Sequence, residues 1–146
     1  MKLGALLLSV VLGACAAAAP RLDRAAAEEL VSAAIRRGKP AVNPAVRFPV
    51  REITPAEAWE RMRVQIFQVE PGAQVDARET FAVRQGQVVR LGTAFGGSGV
   101  GTLLVAYPDG EGTPELTFSY TWGSGETRTD VGVLRIVDDA LSVVAR

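Results

Sequence analysis

Glu115-Leu116-Thr117-Phe118-Ser119-Tyr120-Thr121-Trp122 alternates large apolar and small polar side chains without a break. Successive side chains of a strand point to opposite faces, so Leu116, Phe118, Tyr120 and Trp122 share one face and Thr117, Ser119 and Thr121 the other. One face needs cover and the other tolerates water, which is the pattern of an antiparallel strand lying against a core. Similar stretches surround it: Val64 to Ile66, Thr80 to Arg84, Gln87 to Leu91, Thr102 to Tyr107, Val131 to Val137 and Leu141 to Ala145. The turns between them are marked by Glu70-Pro71-Gly72-Ala73, Gln85-Gly86, Gly110-Glu111-Gly112, Gly123-Ser124-Gly125 and Asp138-Asp139.

Upstream of residue 63 the period changes. Ala27, Leu30, Val31, Ala34 and Ile35 fall on one face at helical spacing, with Glu28, Glu29, Ser32 and Arg36 on another, which predicts a helix over Leu22 to Arg37. Gly38 and Pro40 supply its stop. Asn43 to Pro49 is punctuated by proline and reads as extended. Thr54-Pro55-Ala56-Glu57 reads as the start of a short second helix to about Arg61, with Thr54 as N-cap, Glu57 closing a capping box and Trp59 facing inward as a core anchor. The expected class is therefore α+β: N-terminal helical elements packed on a twisted antiparallel sheet of about six strands.

The first residues carry an address. Lys2 precedes an apolar run from Leu3 to Leu12, and small residues follow it, the three parts of a secretory leader. A run of about ten residues covers about half of a ~30 Å hydrocarbon core, too little to span it as a helix. Leu12-Gly13-Ala14-Cys15 then resembles the lipobox of bacterial lipoproteins, an aliphatic residue and two small ones before a cysteine. That resemblance implies cleavage after residue 14 and a thioether-linked diacylglycerol on Cys15. The alternative is an ordinary secretory signal cut near Ala17-Ala18-Ala19. Ala16 stands where many inner-membrane lipoproteins carry Asp, which implies an outer membrane, facing the periplasm, in a cell with two membranes. On this reading residues 1–14 are the signal peptide, 15–21 the lipidated cysteine and a short tether, and 22–146 a single domain, mostly β from residue 63.

Composition excludes several chemistries. There are 16 basic and 16 acidic residues, a balance with no electrostatic footprint for nucleic acid. The chain has no His and one Cys. It thus lacks the usual base for a Ser or Cys nucleophile and the usual ligands for zinc, haem or iron–sulfur centres. The expectation is a protein that is not an enzyme. A hydrolase working on a glycan with carboxylates alone is the alternative, although no carboxylate pair is marked out by its context.

Phe95-Gly96-Gly97, followed by Tyr107-Pro108-Asp109-Gly110-Glu111-Gly112-Thr113-Pro114-Glu115, resembles one unit of the FG-GAP or VCBS-type repeat. In that family a Phe-Gly step precedes a strand and an Asp-rich loop that binds calcium. The resemblance implies Asp109, Glu111 and Glu115 as Ca²⁺ ligands, with Gly112 at the sharp turn. Tyr107 stands where the family has its leading Asp, so one carboxylate is lacking and a plain turn is the competing reading. No other cofactor is expected. Glycines 92 to 101 do not match a phosphate-binding loop, because no Gly-Lys-Ser/Thr follows and the next residues read as a strand. The candidate binding rim is Trp122 with Gly96, Gly97, Gly99 and Ser124, where an aromatic stands beside glycine-rich loops. The functional expectation is a non-enzymatic binding domain of the cell envelope, held to a membrane by its lipid and meeting a protein or glycan partner.

Overall fold

In a computed structural model of the protein the described residues are 19–70, 79–92, 99–108, 110, 112–122, 126 and 128–145. Two helices and eight strands form in the order α1 (Arg24–Gly38), β1 (Val50–Glu52), α2 (Ala56–Met62), β2 (Gln65–Val69), β3 (Thr80–Arg84), β4 (Gln87–Gly92), β5 (Gly99–Ala106), β6 (Glu115–Trp122), β7 (Arg128–Val137) and β8 (Ala140–Ala145). The α+β class holds, but the strands divide into two four-stranded antiparallel sheets, β1-β2-β3-β4 and β5-β6-β7-β8, rather than one sheet of about six.

The reason for two sheets is visible in β2. Every residue of Gln65–Val69 is buried, so both of its faces are covered. On one side Phe67, Val69, Phe81, Val83 and Val50 pack against Ala27, Val31 and Ile35 of α1. On the other, Ile66, Ala82 and Leu91 meet Leu116, Phe118, Leu134 and Leu141 of the second sheet, with Ala58 and Met62 of α2 closing the same core. The layers are thus helix, sheet, sheet, and the first sheet is the middle one. In β6 the expected alternation is realised: Leu116 and Phe118 are buried, whereas Thr117 and Ser119 are half-buried.

Helix α1 begins where Asp23 accepts a hydrogen bond from the Ala26 amide (2.8 Å) and ends with Arg36 and Arg37 in its last turn, the charge order its dipole favours. Ser32 departs from the expected polar face. It is buried, and its hydroxyl accepts the Phe48 amide (2.9 Å), fastening the proline-punctuated segment to the helix.

Three expectations for α2 are corrected. Its N-cap is Pro55, with no side-chain cap, and among the described residues Glu57 makes no hydrogen bond that would close a capping box. The Thr54 hydroxyl instead accepts the Ile66 amide (2.7 Å) and donates to Glu52 (2.8 Å), so it ties the chain to β2. The helix buries Ala58 and Met62, four residues apart, and this leaves Trp59 on its flank, outside both apolar cores.

Two tight turns, Gln85-Gly86 and Asp138-Asp139, have positive φ at both central residues, as hairpins matched to strand twist require. Asp139 carries that backbone without glycine's freedom. Arg84 offsets the cost by donating to the Asp139 carbonyl (3.0 Å) and pairing with its carboxylate (2.7 Å). Gln87 joins the two turns further: its amide donates to the Asp139 carbonyl (3.2 Å) and its oxygen accepts the Leu141 amide (2.8 Å).

Candidate functional site

The strand registers give the sandwich two unlike ends. At one, Thr80 pairs with Gly92, Gly99 with Thr121, and Trp122 with Arg128. The connections 71–78, 93–98 and 123–127 therefore all leave from this end. At the other lie the Gln85-Gly86 and Asp138-Asp139 turns, the connection from Tyr107 to Pro114, and the junction between α2 and β2.

The sequence-predicted rim belongs to the first end. Gly96, Gly97 and Ser124 lie outside the described residues, as does the side chain of Trp122. The backbones of Gly99 and Trp122 are described, and they stand at neighbouring strand ends through the Gly99–Thr121 pairing. Beneath them Tyr120 faces inward and lies against Gly92, where an added Cβ would come within 2.9 Å of the ring. Tyr120 also pairs across to Asp130. Burial raises the Tyr120 phenol above its ordinary 10.0, and the Asp130 charge and hydrogen bond push the same way. From the middle sheet, buried Gln68 accepts a hydrogen bond from Arg51 (3.0 Å), and buried Glu79 lies between Lys39 (3.0 Å) and Arg90 (3.5 Å).

Of the residues carried over for calcium, Asp109 and Glu111 lie outside the described residues. Glu115 is ion-paired with Arg135, its neighbour across the strands, through a charge-to-charge contact that the Arg135 Nε–H does not point along. Among the described residues no three His, Cys, Asp or Glu side chains gather as a metal site would need. Four carboxylates toward the two ends are engaged: Glu79 and Glu115 by cations, Asp130 with Tyr120, and Glu52 by Arg21 (2.7 Å).

The second end holds a feature that the sequence reading missed. Leu22 is fixed to the first residue of β2 by a pair of hydrogen bonds: its amide donates to Gln65 Oε1 (2.7 Å), and Gln65 Nε2 donates to its carbonyl (3.1 Å). The chain entering the domain therefore runs past this end. Beside it the Trp59 ring has two guanidinium groups near it, Arg21 at 5.5 Å and Arg63 at 5.2 Å, each within cation–π range. Arg63 is the left-handed C-cap of α2, and among the described residues it has no carboxylate partner. Together with Pro20, Leu22, Val83 and Arg84, Trp59 and Arg63 line a cleft of about 130 Å³. A signal for this pair was present in the sequence as the Trp59-x-x-x-Arg63 spacing, which places a ring and a cation one helical turn apart.

Glu52 sits at the same end. Partial burial works against its ionisation, but hydrogen bonds from Arg21, Thr54 and Gln65 outweigh it and hold the carboxyl below its ordinary 4.5. No helix among the described residues is long and apolar enough to cross a membrane. No protein-family model matches the chain, and no curated protein or solved structure shows significant similarity to it.

Proposed function

We propose that this protein is a lipid-anchored binding domain of the cell envelope, held by a diacylated Cys15, and that it meets an envelope protein or glycan with the loop-bearing end of its sandwich. The observation that carries the reading is the opposition of the two ends. The Leu22–Gln65 bonds bring the tether in beside the Gln85-Gly86 turn, while the glycine-rich connections leave at the far ends of the same strands. A domain anchored in this way presents Gly99, Trp122 and the connections 93–98 and 123–127 away from the bilayer. Binding and anchoring then make no competing demand on the same residues. Two or more acyl chains, at about 0.8 kcal/mol per buried methylene, hold such a protein stably where a single chain would not.

The absence of His and the engagement of Glu52, Glu79, Glu115 and Asp130 support a binder over a hydrolase. The anchor is tested by Cys15→Ser, which should move the protein from the membrane to the soluble fraction and abolish labelling by a fatty-acid analogue. Labelling that survives the substitution overturns the assignment. Turnover of a cell-wall polysaccharide that one carboxylate substitution abolishes would overturn the non-enzymatic part.

A further inference from the structure

We infer that the tether end of the domain is itself a lipid-contacting face, with Trp59, Arg21 and Arg63 seated in the phospholipid headgroup layer; the inference rests on Cys15 as the anchor. The length of chain between anchor and domain requires proximity. Ala19 lies only four residue steps beyond Cys15, and it already lines the Trp59 cleft. Fully extended, four residues reach at most ~14 Å. The headgroup region adds about 5–7 Å on each side of the hydrocarbon. A cysteine whose acyl chains enter the hydrocarbon therefore leaves this end of the domain in or directly above the headgroups, whatever path the tether takes.

The chemistry of the face suits that position. Trp is amphipathic and favours the headgroup level, with its ring toward the acyl boundary. Pro20, Leu22 and Val83 give the cleft an apolar lining beside the amides of Gln65 and Gln85, and among the described residues its charged lining is the cations Arg63 and Arg84. Arg84 is already committed to Asp139. Among the described residues Arg63 has no carboxylate partner, and a guanidinium matches the geometry of a phosphate. The carboxylates of α2, Glu57 and Glu60, are exposed but do not line the cleft. The stacked pair thus supplies what a headgroup layer takes up: one flat amphipathic ring and, beside it, a cation with no carboxylate partner among the described residues. At the opposite end, Trp122 lies seven residues along β6 from Glu115, roughly 23 Å at strand rise.

The chain's two tryptophans, one at each end, provide the test. The mature chain from Cys15 is coupled through its single thiol to a maleimide phospholipid in phosphatidylcholine–phosphatidylglycerol vesicles carrying a headgroup nitroxide. Trp122→Phe leaves Trp59 as the only reporter, and Trp59→Phe leaves Trp122. Trp59 is expected to be quenched at least about twofold more strongly than Trp122, and Arg63→Glu to remove roughly half of that quenching. Equal quenching of the two at complete coupling overturns the inference. Amide exchange on the unsubstituted coupled protein gives a second readout: vesicles should slow exchange in α2 and around Gln85-Gly86, and unchanged rates there also overturn it. Chemical coupling does not depend on cellular lipidation, so the two readings fail separately. Loss of the face leaves the Cys15 anchor standing, whereas absence of a fatty-acid label in cells removes the anchor whatever the vesicles report.

Discussion

Replacing Gly132 by Ala should destabilise the domain well beyond the usual effect of adding one methyl group to a strand. Gly132 is directly opposite Phe118 across the β6–β7 pair, and the Phe118 ring lies over its backbone. A Cβ built on Gly132 falls within 3.0 Å of three ring carbons of Phe118. The ring cannot withdraw easily, because Phe118 is 1% exposed and packed in one core with Leu116, Leu134 and Met62. Overpacking of this kind costs about 1–3 kcal/mol. For a domain of this size that lowers Tm by roughly 3–10 °C.

The discriminating assay is a double-mutant cycle read by denaturant unfolding. Phe118→Leu alone leaves a cavity and should cost roughly 1–2 kcal/mol. Combined with Gly132→Ala, the smaller side chain makes room for the methyl group, and the pair should be less destabilised than the sum by about 1 kcal/mol or more. Gly92→Ala is the internal comparison. It meets Tyr120 at 2.9 Å, but only one atom of that half-buried side chain lies within 3.0 Å, against three of Phe118 at Gly132, so the loss should be smaller. The reasoning is refuted if Gly132→Ala leaves Tm within about 1 °C of the parent, or if the cycle is additive.

Two pH dependences follow from the two ends of the sandwich. Glu52 is held below its ordinary 4.5, so its contribution to stability is complete above that value and is lost as pH falls through its lowered folded value; Glu52→Gln should give a shallower acid limb of Tm against pH. Tyr120 is raised above 10.0, so its neutral form stabilises the fold below that value and the contribution is lost as pH climbs beyond it. Tyr120→Phe should flatten the alkaline limb, and Asp130→Asn should bring the tyrosinate absorbance midpoint of Tyr120 back toward 10, since it removes two of the three influences that raise it. An unmoved midpoint in Asp130→Asn would show that burial alone sets the shift.

What could be read in the sequence was whatever local period determines. The alternation of β6 and the helical stripe of Ala27, Val31 and Ile35 both describe a single element with one covered face, and both elements form as read. The division into two sheets was hidden because it depends on what covers the second face. Gln65-Ile66-Phe67-Gln68-Val69 contains two glutamines that suggest a solvated side, yet both are buried, one bonding the Leu22 backbone and the other accepting from Arg51. A polar residue is admitted to a core when its hydrogen bonds are met there, and those partners lie far away in sequence. Trp59 was misplaced for the converse reason. Large aromatics are commonly buried, but α2 is too short to bury more than one stripe, and Ala58 with Met62 takes it. For the candidate sites, Trp122 was legible as a strand end beside a turn, whereas Gly99, read within a glycine-rich loop before a strand from Thr102, opens β5, and the Glu115–Arg135 pair, twenty residues apart, required the β6–β7 register to be seen.

The contrast between the ends also follows from how the strands are joined. An antiparallel meander sends alternate connections to opposite ends, so each end can be built independently. Here one end receives the two tightest turns, fastened to each other through Arg84, Gln87 and Asp139. The same end takes the incoming chain at Gln65 and the Trp59–Arg63 pair. Such an end is internally cross-linked, which would suit the headgroup contact inferred above, because groups already ordered lose little further freedom on docking. The other end receives the connections 71–78, 93–98 and 123–127, which join the strands at Thr80, Gly92, Gly99, Trp122 and Arg128. On the proposed reading, substitutions in those connections should change what the domain binds, whereas substitutions at Arg84 or Asp139 should loosen the cross-linked end, lower Tm and leave binding at the far rim intact.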